Sequence, residues 1–241
     1  MPRPHYANDL TAIYYSSNKM PDRWVSFQLE HLRKSLGDAP IISITRKPMD
    51  LGTNLPQEGA PGYWRIYMTI LQGALLATTP YVATAEDDVL YTPEHFWTFR
   101  PPLDTMSYNR SRWSLFTWDP NPIFCLRQRL NNSTMIGPRE LVIETLTEWK
   151  TKYPEGRPDT LVGEIGRPIV ERNLRVTPRK MVEWYCTNPV IQLNHPTGSD
   201  IGNSRRADGR KMVKHHGQIT AVEIPYWGKA VDIVHIYEGK A

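Results

Sequence analysis

Between Tyr81 and Tyr91 a short apolar, β-prone run breaks into three consecutive acids, Glu86, Asp87 and Asp88, and then turns apolar again. Three adjacent carboxylates repel one another, and an ordered chain keeps them together most easily around a cation. A strand rises about 3.3 Å per residue and alternates its faces, so Glu86 and Asp88 should share a side while Asp87 faces away. At the carboxyl end of a strand in an α/β sheet, such a cluster lies where ligands bind. The expectation is a divalent metal that holds a diphosphate. A solvated acidic turn is the plain alternative, and the apolar residues on both sides argue against it.

The elements around this run constrain the fold. Thr11–Tyr15 reads as a buried strand, followed by a polar turn at 16–19. Pro21-Asp22 opens a helix that Gly37 should close, with Val25, Leu29, Leu32 and Leu36 on one face. Ile41–Thr45 is a second strand. Residues 46–62 hold three prolines and three glycines and read as a loop. Tyr63–Ala77 carries a helical period through Ile66, Tyr67, Ile70, Leu71 and Ala74. This β-α-β, loop, α-β order predicts an α/β fold: a Rossmann-like, mostly parallel central sheet with helices on both faces. The second half is more mixed, with strands at Ser114–Trp118, Ser133–Ile136 and Pro189–Leu193. Helices are expected at Pro138–Lys152 and, interrupted by Gly163, Gly166 and Pro168, at Asp159–Asn173. With no repeat and no low-complexity linker, residues 1–241 are expected to form one domain. Its donor-binding half would span about 9–92 and its acceptor half about 93–241.

The chain has 241 residues, 22% charged and 40% hydrophobic, an ordinary globular composition. Two cysteines, Cys125 and Cys186, make no disulfide framework. The N-terminus lacks the apolar core of a signal peptide, and no run reaches bilayer length. The expectation is a cytoplasmic protein of a bacterium or a phage-infected host. The net charge of +4 favours anionic partners. Part of the excess sits in residues 203–216, with five Lys/Arg and two His against one Asp.

This parallel-sheet first half, with a polar turn after strand one and the triplet Glu86-Asp87-Asp88 at the end of a later strand, resembles the GT-A glycosyltransferases. The triplet looks like the E-D-D form of their DXD motif, and the resemblance runs through about residues 9–200 in the order of elements. It implies a nucleotide-sugar donor, most readily a UDP-sugar, and Mn²⁺ or Mg²⁺ as the cofactor. Asp88 would ligate the metal, with Glu86 or Asp87 on ribose, sugar or a metal-bound water. Ser16, Ser17 and Asn18 would hydrogen-bond base and ribose, Tyr14 or Tyr15 would stack on the base, and Arg65 would contact the donor. His195 or His216 would complete the metal site. Arg205, Arg206 and Lys214, in a glycine-punctuated segment, would fold over the diphosphate. An inverting reaction needs a carboxylate to deprotonate the acceptor hydroxyl. Glu164, Asp159 and Asp119 are the candidates, with Trp118 as a sugar platform beside Asp119.

The acceptor is open. The basic segment and the lack of an anchor suit DNA carrying a hydroxymethylated base, the acceptor of some phage enzymes that this layout resembles. Bacterial surface polysaccharides suit it equally. Two other classes compete: a metal-dependent nucleotidyltransferase or phosphohydrolase using the same acids, and a non-catalytic basic nucleic-acid-binding protein. The first lacks a glycine-rich phosphate loop. Against the second stands the acid triplet, which would repel phosphate without a metal.

Overall fold

In the computed structural model, residues 9–59, 62–127, 129–156, 163–196 and 219–240 are described. The chain opens with β1 (Leu10–Ser16), α1 (Asp22–Leu36), β2 (Ile41–Thr45), β3 (Thr53–Pro56) and α2 (Tyr63–Leu76). Next come β4 (Tyr81–Glu86), β5 (Val89–Leu90), α3 (Pro93–Trp97), β6 (Thr105–Asn109), β7 (Arg112–Phe116) and β8 (Phe124–Leu126). A 3-10 turn at Asn132–Thr134 precedes β9 (Met135–Pro138), α4 (Arg139–Lys152), α5 (Pro168–Leu174), β10 (Lys180–Trp184) and β11 (Val190–Asn194). The short β12 (Thr220–Ala221), β13 (Glu223–Ile224) and β14 (Gly228–Lys229) lead into α6 (Ala230–Glu238).

Seven strands form the central sheet in the order β10-β6-β9-β4-β1-β2-β3. The pairs β1–β2, β1–β4, β2–β3 and β10–β6 are parallel, and β9 alone runs against its neighbours β4 and β6. The pleat of β1 feeds two cores. Ile13 and Tyr15 pack with α2 and α4 on one face, while Leu10, Ala12 and Tyr14 pack with Leu32 and Leu36 of α1 on the other. A second sheet, β12-β8-β7-β11-β5, joins Trp24 of α1 and Ile233 of α6 in a third core. The chain is therefore α/β with a mostly parallel central sheet, helices on both faces and a mixed second half, as the order of elements predicts.

Three details differ from the sequence expectation. The segment 46–62 is not all loop, because Thr53–Pro56 adds β3 as an edge strand, where proline is tolerated. The helix expected over 159–173 is only α5, Pro168–Leu174. Residues 163–167 are non-helical, and 157–162 lie outside the described residues. The fully buried residues of α1 are Trp24, Gln28, Leu32, Ser35 and Leu36, while Val25 and Leu29 of the expected face are half-buried at the edges of the cores. Gln28 and Ser35 are buried because their side chains donate to backbone carbonyls, at Glu86 and Val89 for Gln28 and at Tyr91 for Ser35. Periodicity of apolar residues alone cannot see such positions. No helix among the described residues is long and apolar enough to cross a membrane. Both cysteines are free thiols.

His95 of α3 is fully buried, stacked on Trp184 at 6.0 Å and 16°. Asn109 Nδ2 donates to its Nδ1 at 3.2 Å, and its Nε2 has no partner. Burial, and then the charge of Arg100, push its pKa down to about 3. The folded state therefore holds His95 neutral, whereas the unfolded chain takes a proton below about 6.5. Stability from this residue is fully present above that pH and falls by about 1.4 kcal/mol per unit as the pH drops from 6.5 toward 3. Comparing urea unfolding of the wild type with His95→Phe across pH 4–7 should show this part of the slope vanish in the variant.

Candidate active site

The acid triplet sits at the carboxyl end of β4, beside the carboxyl end of β1, with Tyr15 in register with Glu86. Its backbone is held from three directions. Gln28 Nε2 donates to the Glu86 carbonyl at 3.2 Å, Trp24 Nε1 to the Asp87 carbonyl at 2.8 Å, and the Leu193 N–H to the Asp88 carbonyl at 2.7 Å. The Tyr91 hydroxyl accepts from the Glu86 N–H at 3.0 Å and donates to the Ser133 carbonyl. This turn lies in the interior, where unpaired carbonyls would be costly.

The three side chains divide as strand alternation predicts. Glu86 and Asp88 both line a cavity of about 230 Å³, while Asp87 is turned away from it and accepts from Ser16 Oγ. Glu86 Oε1 accepts from the Tyr15 hydroxyl at 2.6 Å. Asp88 Oδ1 is buried without a hydrogen-bond partner. Burial drives all three acids toward the protonated form. Asp87 is pushed up to about 6, and Ser16 pulls against that shift. Asp88 is raised well above the carboxylate range by burial and then by the charges of Glu86 and Asp87. Glu86 is raised by burial and partly restored by the Tyr15 hydrogen bond. The phenols of Tyr14, Tyr15 and Tyr91 are held neutral by burial first and then by the field of these acids.

His195 follows β11, and its Nε2 lies 3.8 Å from Asp88 Oδ2. Two atoms bound to one cation at about 2.1 Å each lie at most about 4.2 Å apart, so this pair fits a common ion. Carboxylate oxygens with one imidazole suit Mn²⁺ or Mg²⁺, and the orphaned Asp88 Oδ1 supplies a free acceptor. Among the described residues no group of three or more Asp, Glu, His or Cys side chains converges as a complete metal cage. The remaining positions would fall to substrate oxygens and water, the usual manner of Mg²⁺.

The cavity also takes residues from the second half. Arg112 and Ser114 come from β7, Gln192 from β11, Arg127, Arg129 and Asn132 from the segment after β8, and Glu164 from the loop before α5. Glu164 is mostly buried and accepts from Arg167 at 2.9 Å through Oε2. The loop that carries it is fixed by Tyr67, whose hydroxyl donates to the Gly163 carbonyl at 2.6 Å, and by Asn132 Oδ1, which accepts from the Ile165 N–H at 3.1 Å. Arg112, Arg127, Arg129, Gln28 and Trp24 stand outside the sequence expectation. For Trp24 and Gln28 a signal existed, an i, i+4 pair on α1 opposite the acids.

Other expected residues take different places. Tyr14 and Tyr15 cannot stack on a base, because both rings are buried in the two cores. Ser16 and Asn18 spend their oxygens on the chain itself: Ser16 Oγ accepts from the Asn18 N–H, and Asn18 Oδ1 from the Lys47 N–H, both at 2.8 Å. Asn18 holds a left-handed φ of 53°, which asparagine tolerates, and Ser17 is half-buried beside it. Arg65 is not on the cavity and packs against Gly59. Asp119 and Trp118 line a separate recess of about 660 Å³ against α6. Asp159, Arg205, Arg206, Lys214 and His216 lie outside the described residues.

No protein-family model and no curated protein matches this sequence. Among solved structures, the chain is similar to the mannosyltransferase PcManGT from Pyrobaculum calidifontis, solved with GDP-Man and Mn²⁺, at 12% identity and a TM-score of 0.44 over 80% of this chain. It spans 59% of that protein's length. A glycosyltransferase involved in glycosylation of the major capsid of PBCV-1 aligns at 12% identity and a TM-score of 0.46, over 76% of this chain and 92% of that one. The bifunctional IspDF from Campylobacter jejuni aligns at 6% identity and a TM-score of 0.41, over 75% of this chain and 50% of its own. At this distance no activity passes from those proteins to this chain.

The clamp on the triplet carries its own expected outcome. Gln28→Leu removes the donor to the Glu86 and Val89 carbonyls and should cost about 1–3 kcal/mol in denaturant unfolding. Glu30→Leu on the exposed part of the same helix should change stability by less than about 0.5 kcal/mol.

Proposed function

We propose that this protein is a metal-dependent glycosyltransferase of the GT-A kind, moving a sugar from a nucleotide-sugar to a hydroxyl acceptor. The observation that carries the proposal is the half-buried pair Glu86 and Asp88, both lining one cavity, with His195 Nε2 3.8 Å from Asp88 Oδ2. Burying two carboxylates side by side is costly unless a cation joins them. Asp88 and His195 would hold Mn²⁺ or Mg²⁺, with Glu86 alongside, fixed by Tyr15. The metal, when bound, would stabilise the charge that develops on the departing nucleoside diphosphate.

The chain's own groups supply the rest. The carboxyl ends of β1 and β4 offer the nucleotide a slot beside the acids, and a UDP-sugar is the first donor to test. Glu164 lines the same cavity and would take the proton of the acceptor hydroxyl. Its bond to Arg167 holds the carboxylate in place. Residues 9–92 would serve the donor and 93–241 the acceptor within one domain. The basic segment 203–216 would suit DNA with a hydroxymethylated base as acceptor.

Thermal shift against UDP, GDP, CDP and UDP-sugars, with and without Mn²⁺, tests the proposal. The wild type should gain stability only with nucleotide and metal together, about 2.7 kcal/mol at a hundredfold excess over Kd. Asp88→Asn should abolish that gain. It should also raise the stability of the metal-free protein at pH 8 by about 0.5–2 kcal/mol, because one of two crowded carboxylates is gone. A wild type indifferent to every nucleotide would overturn the proposal. Glu164→Gln should keep the nucleotide shift and lower turnover by about 10²–10⁴-fold.

A further inference from the structure

The cavity that Glu86, Asp88 and His195 line also holds a cation from the interior, Arg112 at the start of β7. Arg112 is 5% exposed, so its charge is built into the fold and not solvated. Its NH1 donates to Gln192 Oε1, and its NH2 to the Arg129 carbonyl at 3.1 Å. Both acceptors are neutral. Its Nε is buried with no hydrogen-bond partner. A guanidinium so placed is costly without an anion against it. Burial first, and then the charges of Arg127 and Arg129, bring its pKa down to about 10, so it stays charged at neutral pH.

Anions stand near without meeting it. Glu86 and Asp88 act on Arg112 only through their field, and among the described residues no ion pair joins them to it. Glu86 is held instead by the Tyr15 hydroxyl, and Asp88 lies beside His195. One strand sets this separation. Gln192 of β11 accepts from Arg112, the next residue, Leu193, donates its N–H to the Asp88 carbonyl, and His195 follows the strand. Arg112 and Asp88 are thus placed by neighbouring residues of β11, on one cavity of about 230 Å³. A ligand that meets both must offer a cation to the acids and an anion to the arginine. A diphosphate carrying a divalent metal does so.

Resting on the glycosyltransferase proposal, we infer that Arg112 is a catalytic residue that grips the phosphate oxygens of the metal-bound donor diphosphate. Its donors are the Nε–H and the guanidinium N–H groups that Gln192 and Arg129 do not take. In the transfer, the bond from the sugar carbon to the diphosphate oxygen breaks and its electron pair stays on that oxygen. The acceptor oxygen bonds to the sugar carbon, and its proton passes to Glu164. Arg112 meets the charge that gathers on the departing diphosphate, a second cation beside the metal.

The test uses inorganic pyrophosphate as the probe, titrated calorimetrically into the full chain saturated with Mn²⁺. Binding of Mn²⁺ alone is read separately from the electron paramagnetic resonance signal of the free ion. Arg112→Met should weaken pyrophosphate by about tenfold or more. It should hold Mn²⁺ at least as tightly as the wild type, because a like charge has left the cavity. Arg112→Lys keeps a charge in the interior, which covers the case in which the methionine variant does not fold. It should still weaken pyrophosphate by about fivefold, because the planar fork is lost. An arginine that only supports the fold would move both affinities the same way, so a joint loss of Mn²⁺ and pyrophosphate would overturn the inference. Pyrophosphate binding that is unchanged in the methionine variant, or in the lysine variant where the methionine one does not fold, would overturn it too. So would a wild type that binds Mn²⁺ but no pyrophosphate. A wild type that binds pyrophosphate through Arg112 but no nucleoside diphosphate would instead sink the transferase proposal, and one that takes up no Mn²⁺ would sink both.

Discussion

The donors that hold the Glu86-Asp87-Asp88 backbone are the constraint on which the site depends. Gln28, Trp24 and the Leu193 N–H each take one carbonyl of the triplet, and they come from α1 and β11. α1 and β11 meet in two of the three cores, and β11 belongs to the smaller sheet while the acids end β4 of the central one, so the acid turn is also a joint between the two sheets. A chain that packed α1 in another rotation would leave the Glu86, Asp87 and Val89 carbonyls without these side-chain donors. Folding and the placing of Asp88 are thus one event, and His195 is brought in by the same strand whose Leu193 caps the Asp88 carbonyl.

That joint carries a local electrostatic cost which the rest of the fold offsets. Three acids are held where burial favours their protonated forms, and one oxygen of Asp88 has no hydrogen-bond partner. The same cavity is lined by Arg112, Arg127 and Arg129, and the Nε of Arg112 is buried without a hydrogen-bond partner. Neither group is arranged to satisfy the other by direct contact. Such arrangements persist when the surrounding packing over-determines them, and here three hydrophobic cores do so.

Much of this architecture was legible in the sequence because it follows from periodicity. The first strand, both long helices of the first half and the strand into the acids come from apolar patterns and turn residues. The split of the triplet, Glu86 and Asp88 together and Asp87 apart, comes from strand alternation. What escaped is what depends on hydrogen bonds between distant residues. Gln28 reads as a solvent-facing residue until its amide is seen to span two carbonyls. Tyr15 reads as a stacking platform until its hydroxyl is found on Glu86, and Glu164 as helical until Gly163 is found bound to Tyr67. Arg112 begins a strand whose apolar pattern gives no reason to look at its charged first residue. Asp119 reads as a further candidate base because sequence proximity to Trp118 says nothing about which recess a loop faces.

The central sheet ends on β3 and β10. The first is four residues long and closes with Pro56, which has no N–H to offer a further strand. The second turns Lys180 and Glu183 outward to solvent. Both are devices that discourage a neighbouring molecule from adding its own strand. Self-association through either edge of the central sheet is thereby disfavoured.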